Sequence, residues 1–124
     1  MILHTIFEQK VIKSFGWAMK GLRTVWSEEL SFRIELVIGL ILVVGAGILR
    51  FSIIEWIVLL GCIGAVLSAE IINTAIEDLC NRVEPSFDPI IGKIKDVMAG
   101  CVFLVVIIAT AIGILLLVNH FALL

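Results

Sequence analysis

Three long apolar stretches dominate the chain. No Asp, Glu, Lys or Arg occurs from Leu36 to Leu49, from Trp56 to Ala69, or from Val97 to Leu124, windows of 14, 14 and 28 residues. A helix that crosses the hydrocarbon core of a bilayer needs about 20 residues. The first two windows reach that length only by taking in flanking charges, which puts Glu35, Arg50, Glu55 and Glu70 at the membrane faces or just within them. The pattern predicts three membrane helices, over 28–49, 53–78 and 96–120, in one membrane-embedded domain covering residues 1–124.

Ahead of the first span, Phe7, Val11, Phe15, Ala18, Met19, Leu22 and Trp26 recur at helical spacing, while Glu8, Lys10, Lys13, Ser14, Lys20 and Arg23 take mostly other faces. This predicts an amphipathic surface helix over 5–26, lying in the membrane interface with its basic residues toward lipid headgroups. The alternative is an amphipathic helix packed on protein. Trp17 and Trp26 read as interface anchors by residue type. Ser27 is placed to cap a new helix, with Glu28 and Glu29 in a first turn where carboxylates suit the positive end of the helix dipole. Pro85-Ser86-Phe87-Asp88-Pro89 reads as a loop, separating the second span from a third helix that starts near Lys95 and Asp96.

Composition agrees with this layout. With 61% hydrophobic and 16% charged residues the chain departs from soluble domains, and the fold class is all-α and polytopic. A net charge of -2 speaks against a nucleic-acid partner. Lys10, Lys13, Lys20, Arg23 and Arg33 precede the first span, Arg50 alone separates the first two, and Arg82, Lys93 and Lys95 separate the second and third. The positive-inside rule then puts the N-terminus and the second connection in the cytoplasm. No signal peptide is expected, because residues 1–9 lack a basic start followed by a compact apolar core. Cys62, Cys80 and Cys101 lack metal-ligand spacing and read as packing residues, and Gly39, Gly45 and Gly47 as points of close helix approach.

Against this apolar background one group of polar residues stands out. On a helix, Asn73 and Glu77 lie at about 300° and 700° from Glu70, so the three share one face over roughly two turns. Ionisable groups inside a membrane are costly and usually either serve function or pair with one another. The plain reading is that Glu70 and Glu77 pair with Arg33, Lys93 or Lys95, and that Glu29 pairs with Arg33 four residues on. The chemical reading starts from the excess of acid at this end: Glu28, Glu29, Glu35, Glu70, Glu77 and Asp96. Such carboxylates suit magnesium, which lets a polyphosphate approach them; a nearby lysine neutralises the same phosphates, and a deeper carboxylate such as Glu70 accepts the proton of a lipid hydroxyl. This arrangement permits phosphoryl transfer without selecting it. No Walker-type loop or protein-kinase motif set is present, so any nucleotide site is unconventional.

Lys20-Gly21-Leu22-Arg23, Trp26, Glu29, Phe32-Arg33, Glu35, Glu70-x-x-Asn73-Thr74-Ala75-Ile76-Glu77 and Lys95-Asp96 together resemble the small bacterial integral-membrane diacylglycerol kinase family, including its undecaprenol kinase branch. The resemblance runs from about Lys10 to Gly100. It implies a homotrimer in the bacterial inner membrane that transfers the γ-phosphate of ATP, as its Mg2+ complex, to a membrane lipid hydroxyl. By position, Glu70 resembles the catalytic base, Glu29 and Glu77 the metal-binding carboxylates that also meet the nucleotide, and Asn73 a polar partner near the substrate. Lys95 resembles a phosphate contact, and Asp96, Gly92 and Trp17 fall where the family approaches the nucleotide. Lys10 matches a basic position near nucleotide and lipid headgroup, and Ala99 a substrate position.

Ala18 and Ala99 stand where proteobacterial members carry serine, and Asn81, Ser86 and Asp88 replace Asp, Glu and His around the second connection. Diacylglycerol is the expected substrate, with undecaprenol as the alternative. A different class, a small proton-coupled transporter, would use a membrane glutamate as carrier, but normally with four spans and the acid near mid-membrane. A third class is a structural or regulatory membrane subunit whose charges pair with a larger partner.

Overall fold

The computed structural model describes residues 1–122 and contains four helices among them: α1 (Ile2–Glu28), α2 (Leu30–Ile48), α3 (Ile53–Val83) and α4 (Pro89–Ala122). The chain forms two compact units, Met1–Leu30 and the remainder from Ser31. The last three helices are each long and apolar enough to cross a membrane. Their exposed side chains are largely Ile, Leu, Val and Phe, a surface suited to hydrocarbon rather than water.

In the first unit α1 runs without a break through Ser27 and Glu28. Ser27 therefore caps nothing; its hydroxyl donates to the Thr24 carbonyl at 2.9 Å inside the last turn of α1. The chain leaves the helix at Glu29, whose backbone is extended (φ -110, ψ 108) while its N–H still reaches the Val25 carbonyl. Glu28 accordingly ends α1 instead of opening α2.

Within the second unit, Phe32, Gly39 and Ala46 are the buried residues of α2. Their seven-residue spacing keeps them on one side of the helix. At Gly39 the approach to α3 is close, since a Cβ there would lie 3.1 Å from Ile63 Cγ2. Gly45 and Gly47 have open space at that position, so of the three glycines only Gly39 serves close packing within the chain. The α2 helix ends in a Schellman turn: the Phe51 N–H reaches the Ala46 carbonyl and the Arg50 N–H the Gly47 carbonyl. Arg50 takes the left-handed position of that turn (φ 56), usually given to glycine.

The start of α3 is set by a capping box. Ser52 Oγ accepts the Glu55 N–H at 3.2 Å, and Glu55 Oε1 accepts the Ser52 N–H at 2.9 Å. Helix α3 then continues for 31 residues and packs against α4. In the connection after it, the Ser86 hydroxyl and N–H donate to the Glu84 carboxylate and hold it below the usual carboxylate range.

Helix α4 starts at Pro89, seven residues before the start expected at Asp96. Asp88 Oδ1 accepts the N–H groups of Ile90 and Ile91, which caps the helix. Proline is accommodated in the first turn, where its missing N–H costs no intrahelical bond. The loop expected through Pro89 is therefore shorter, and Gly92, Lys93, Lys95 and Asp96 all belong to the helix.

Candidate active site

The capping box sets where α3 begins, and helix geometry from there decides which later residues share a face. Glu70 comes to lie buried, with 7% of its surface exposed, and neighbouring Thr74 is at 4%. The Thr74 hydroxyl donates to the Glu70 main-chain carbonyl at 3.0 Å, so it spends its proton on the helix and leaves the Glu70 carboxyl alone. Asn73 and Glu77, on the same face, are half-buried.

The carboxyl group of Glu70 meets that of Glu35 from α2, side chain to side chain. Beside it, Glu35 Oε2 and Asn73 Oδ1 are buried acceptors without a hydrogen-bond partner among the described residues. Unsatisfied buried acceptors are uncommon in folded proteins and mark positions that a ligand can complete. Glu35 also stands at the polar edge of a cavity of about 580 Å³ between α2, α3 and α4, whose walls are otherwise almost wholly apolar, with Leu42, Leu59, Ile63, Val66 and Leu117 among them.

On α4, Gly92, Lys95, Asp96 and Ala99 lie within about 100° of one another around the helix axis, so the early start of α4 gathers all four on one face. Among the described residues Lys95 forms no ion pair with Glu77. Its Nζ donates to Asn81 Oδ1 on α3 at 2.6 Å. Among the described residues Glu77, Lys93 and Lys95 enter no ion pair; the pairs that form are His4–Glu8 and His120–Glu55. The structure thus gives no support to helix-holding ion pairs for Glu77 and Lys95.

Lys10, Trp17 and Glu29 belong to the first unit. Lys10 and Trp17 are exposed and seven residues apart, which puts them on one side of α1, and Glu29 is half-buried at its end. No group of three acidic, histidine or cysteine side chains converges as a metal site among the described residues. Magnesium does not require one: it is commonly held by one or two carboxylates plus substrate phosphates and water. The donor chemistry of Glu77, a half-buried carboxylate with no ion-pair partner among the described residues, fits that mode.

Two participants in this region were not singled out for a role by residue type: Glu35, whose contact with Glu70 spans two helices, and Asn81. The second carries a sequence signal, because it stands four residues after Glu77 and continues the same face.

Comparison with known proteins identifies the family. Residues 16–117 match the family model for prokaryotic diacylglycerol kinase. The chain is 34% identical over 112 residues to the diacylglycerol kinase of Escherichia coli strain K12, covering 90% of this chain and 92% of that one. It is 29% identical over 107 residues to the undecaprenol kinase of Bacillus subtilis strain 168, covering 86% and 87%. It is also 29% identical over 93 residues to the diacylglycerol kinase of Helicobacter pylori strain J99, covering 74% and 72%. A match over most of the chain, with three helices able to span a bilayer and acidic groups gathered on one of them, leaves the transporter reading without support: the chain belongs to the prokaryotic diacylglycerol kinase family.

Proposed function

We propose that this protein is an ATP-dependent diacylglycerol kinase, transferring the γ-phosphate of MgATP to the free hydroxyl of diacylglycerol to give phosphatidic acid. The observation that carries the reading is the buried Glu70 carboxyl, held against Glu35 beside the unpartnered Asn73 Oδ1 and close to an apolar cavity large enough for part of an acyl chain.

Glu70 acts as the general base. Its carboxylate takes the proton of the lipid hydroxyl as that oxygen bonds to the γ-phosphorus; the bond from phosphorus to the bridging β-phosphate oxygen breaks, and ADP leaves. Asn73 Oδ1 orients the hydroxyl end of the lipid, with Ala99 beside it. Glu29 and Glu77 would be the carboxylates that hold magnesium, which would offset polyphosphate charge so that the nucleotide could approach the acids. Lys95 contacts the phosphates as a point charge, with Gly92, Asp96, Lys10 and Trp17 completing the nucleotide side.

The protein sits in the bacterial inner membrane, with the N-terminus and the α3–α4 connection cytoplasmic. Helix α1 lies in the interface as an amphipathic surface helix. The subunit itself buries few side chains, and three copies in closed symmetry supply the remaining walls.

A second lipid is favoured by one specific observation, the similarity to an undecaprenol kinase over 86% of the chain. Purified protein in mixed micelles, given MgATP and either diacylglycerol or undecaprenol, separates the two. Faster turnover on diacylglycerol is expected; faster turnover on undecaprenol would transfer the assignment to that branch, and no phosphorylation of either would refute the proposal.

A further inference from the structure

The face of α3 that carries Glu70, Asn73 and Glu77 does not end at Glu77. Asn81 follows one turn later, at about 20° from Glu70 around the helix axis, making a fourth polar member at the outer end of the stripe. Its Oδ1 accepts a hydrogen bond from Lys95 Nζ at 2.6 Å, a link between α3 and α4 across 14 residues of sequence. Lys93 stands two residues away on the same helix, roughly on its opposite side, so of the two lysines only Lys95 turns to the α3 stripe.

The chemistry of the acceptor matters. Carboxylates abound nearby in the sequence, at Glu77, Asp78, Glu84 and Asp96, yet the ammonium rests on a neutral amide and enters no ion pair among the described residues. An ammonium has three donors, and Asn81 engages one. Position is thereby restrained while the positive charge and two donors stay available to an anion. A lysine side chain free to rotate must give up much of its rotamer freedom on binding; one already held gives up less.

We infer that Asn81 is a positioning residue for the kinase reaction: it holds the Lys95 ammonium, with its charge uncompensated, at the open end of the Glu70–Asn73–Glu77 stripe, ready for the phosphates of the nucleotide. This rests on the reading of Lys95 as a phosphate contact.

The test compares Asn81→Ala, Lys95→Met and the double variant as full-length protein in mixed micelles, with kcat and KM measured separately for MgATP and for diacylglycerol. Asn81→Ala is expected to raise KM for MgATP about three- to tenfold, leaving kcat and the lipid KM within about twofold, because a lost restraint on a binding group weakens ground-state affinity. Lys95→Met raises KM for MgATP further, and the double variant matches Lys95→Met because both substitutions remove one interaction. If Lys95→Met raises KM for MgATP while Asn81→Ala leaves it unchanged, or if the two effects multiply in the double variant, the role of Asn81 is overturned and that of Lys95 stands. If Lys95→Met leaves KM for MgATP unchanged, the phosphate-contact reading itself fails. Asn81 is exposed, so its truncation leaves packing intact, and an unchanged midpoint of thermal unfolding checks this.

Discussion

His120 Nδ1 lies 2.8 Å from Glu55 Oε2, which joins the last turns of α4 to the first turn of α3. The same carboxylate closes the α3 capping box with its other oxygen, and the Phe51 ring packs 5.0 Å from the imidazole centroid. One acid thus serves a helix start and an interhelical contact. Glu55→Ala removes both and is expected to lower the midpoint of thermal unfolding by several degrees. Turnover should be unaffected, since Glu55 and Glu70 are 15 residues, or about 22 Å, apart along α3. The paired replacement Glu55→Leu with His120→Phe should recover part of the loss, because it removes donor and acceptor together. Scanning calorimetry beside a kinase assay checks all three.

Arg50 occupies a left-handed backbone position at no evident benefit to its side chain, which is exposed and unpaired among the described residues. Arg50→Gly relieves that conformation and should stabilise the α2–α3 turn by about 1 kcal/mol. A rise in the thermal midpoint with unchanged kcat is the expected result; a fall would mean that the arginine contributes through its charge at the membrane face.

For the proposed base, Glu70→Gln keeps the size of the side chain and removes its ability to accept a proton. Turnover should drop by about 10²- to 10⁴-fold while MgATP affinity stays within about twofold. Single-turnover kinetics and equilibrium nucleotide binding on the same preparation separate the two effects. Near-normal turnover would exclude Glu70 as the base.

Glu29→Gln and Glu77→Gln address the metal instead. Each should move the magnesium titration of activity to higher concentration, about tenfold or more, and excess magnesium should restore part of the rate. An unchanged titration would remove that residue from the metal site.

The three spans and the polar stripe were legible in the amino-acid sequence because both are local properties: hydropathy is summed over neighbours, and Glu70, Asn73 and Glu77 are related by helix geometry alone. The ends of helices were less so. Ser27 looks like a cap, yet a serine hydroxyl can equally bond back to a carbonyl within its own helix, as it does at Thr24. Pro89 looks like a breaker, yet with Asp88 before it the same residue is a good first turn. The contacts of Glu35 with Glu70 and of Glu55 with His120 join residues far apart in the chain, and no local pattern encodes them. Asn81 lies between these cases: its place on the stripe follows from spacing, its partner only from the packing of α4 on α3.

The cap at Ser52 and the acid at Glu70 are separated by 18 residues of unbroken helix, about 27 Å, close to the thickness of the hydrocarbon core. With Glu70 as the proposed base, a rigid rod pinned at one face would carry that base one membrane thickness away, as a depth gauge. It would meet hydroxyls that sit at the far headgroup boundary and pass over those held deeper or farther out. Bilayer thickness would then be a determinant of turnover in its own right, set by the lipids around the protein as much as by the one it phosphorylates.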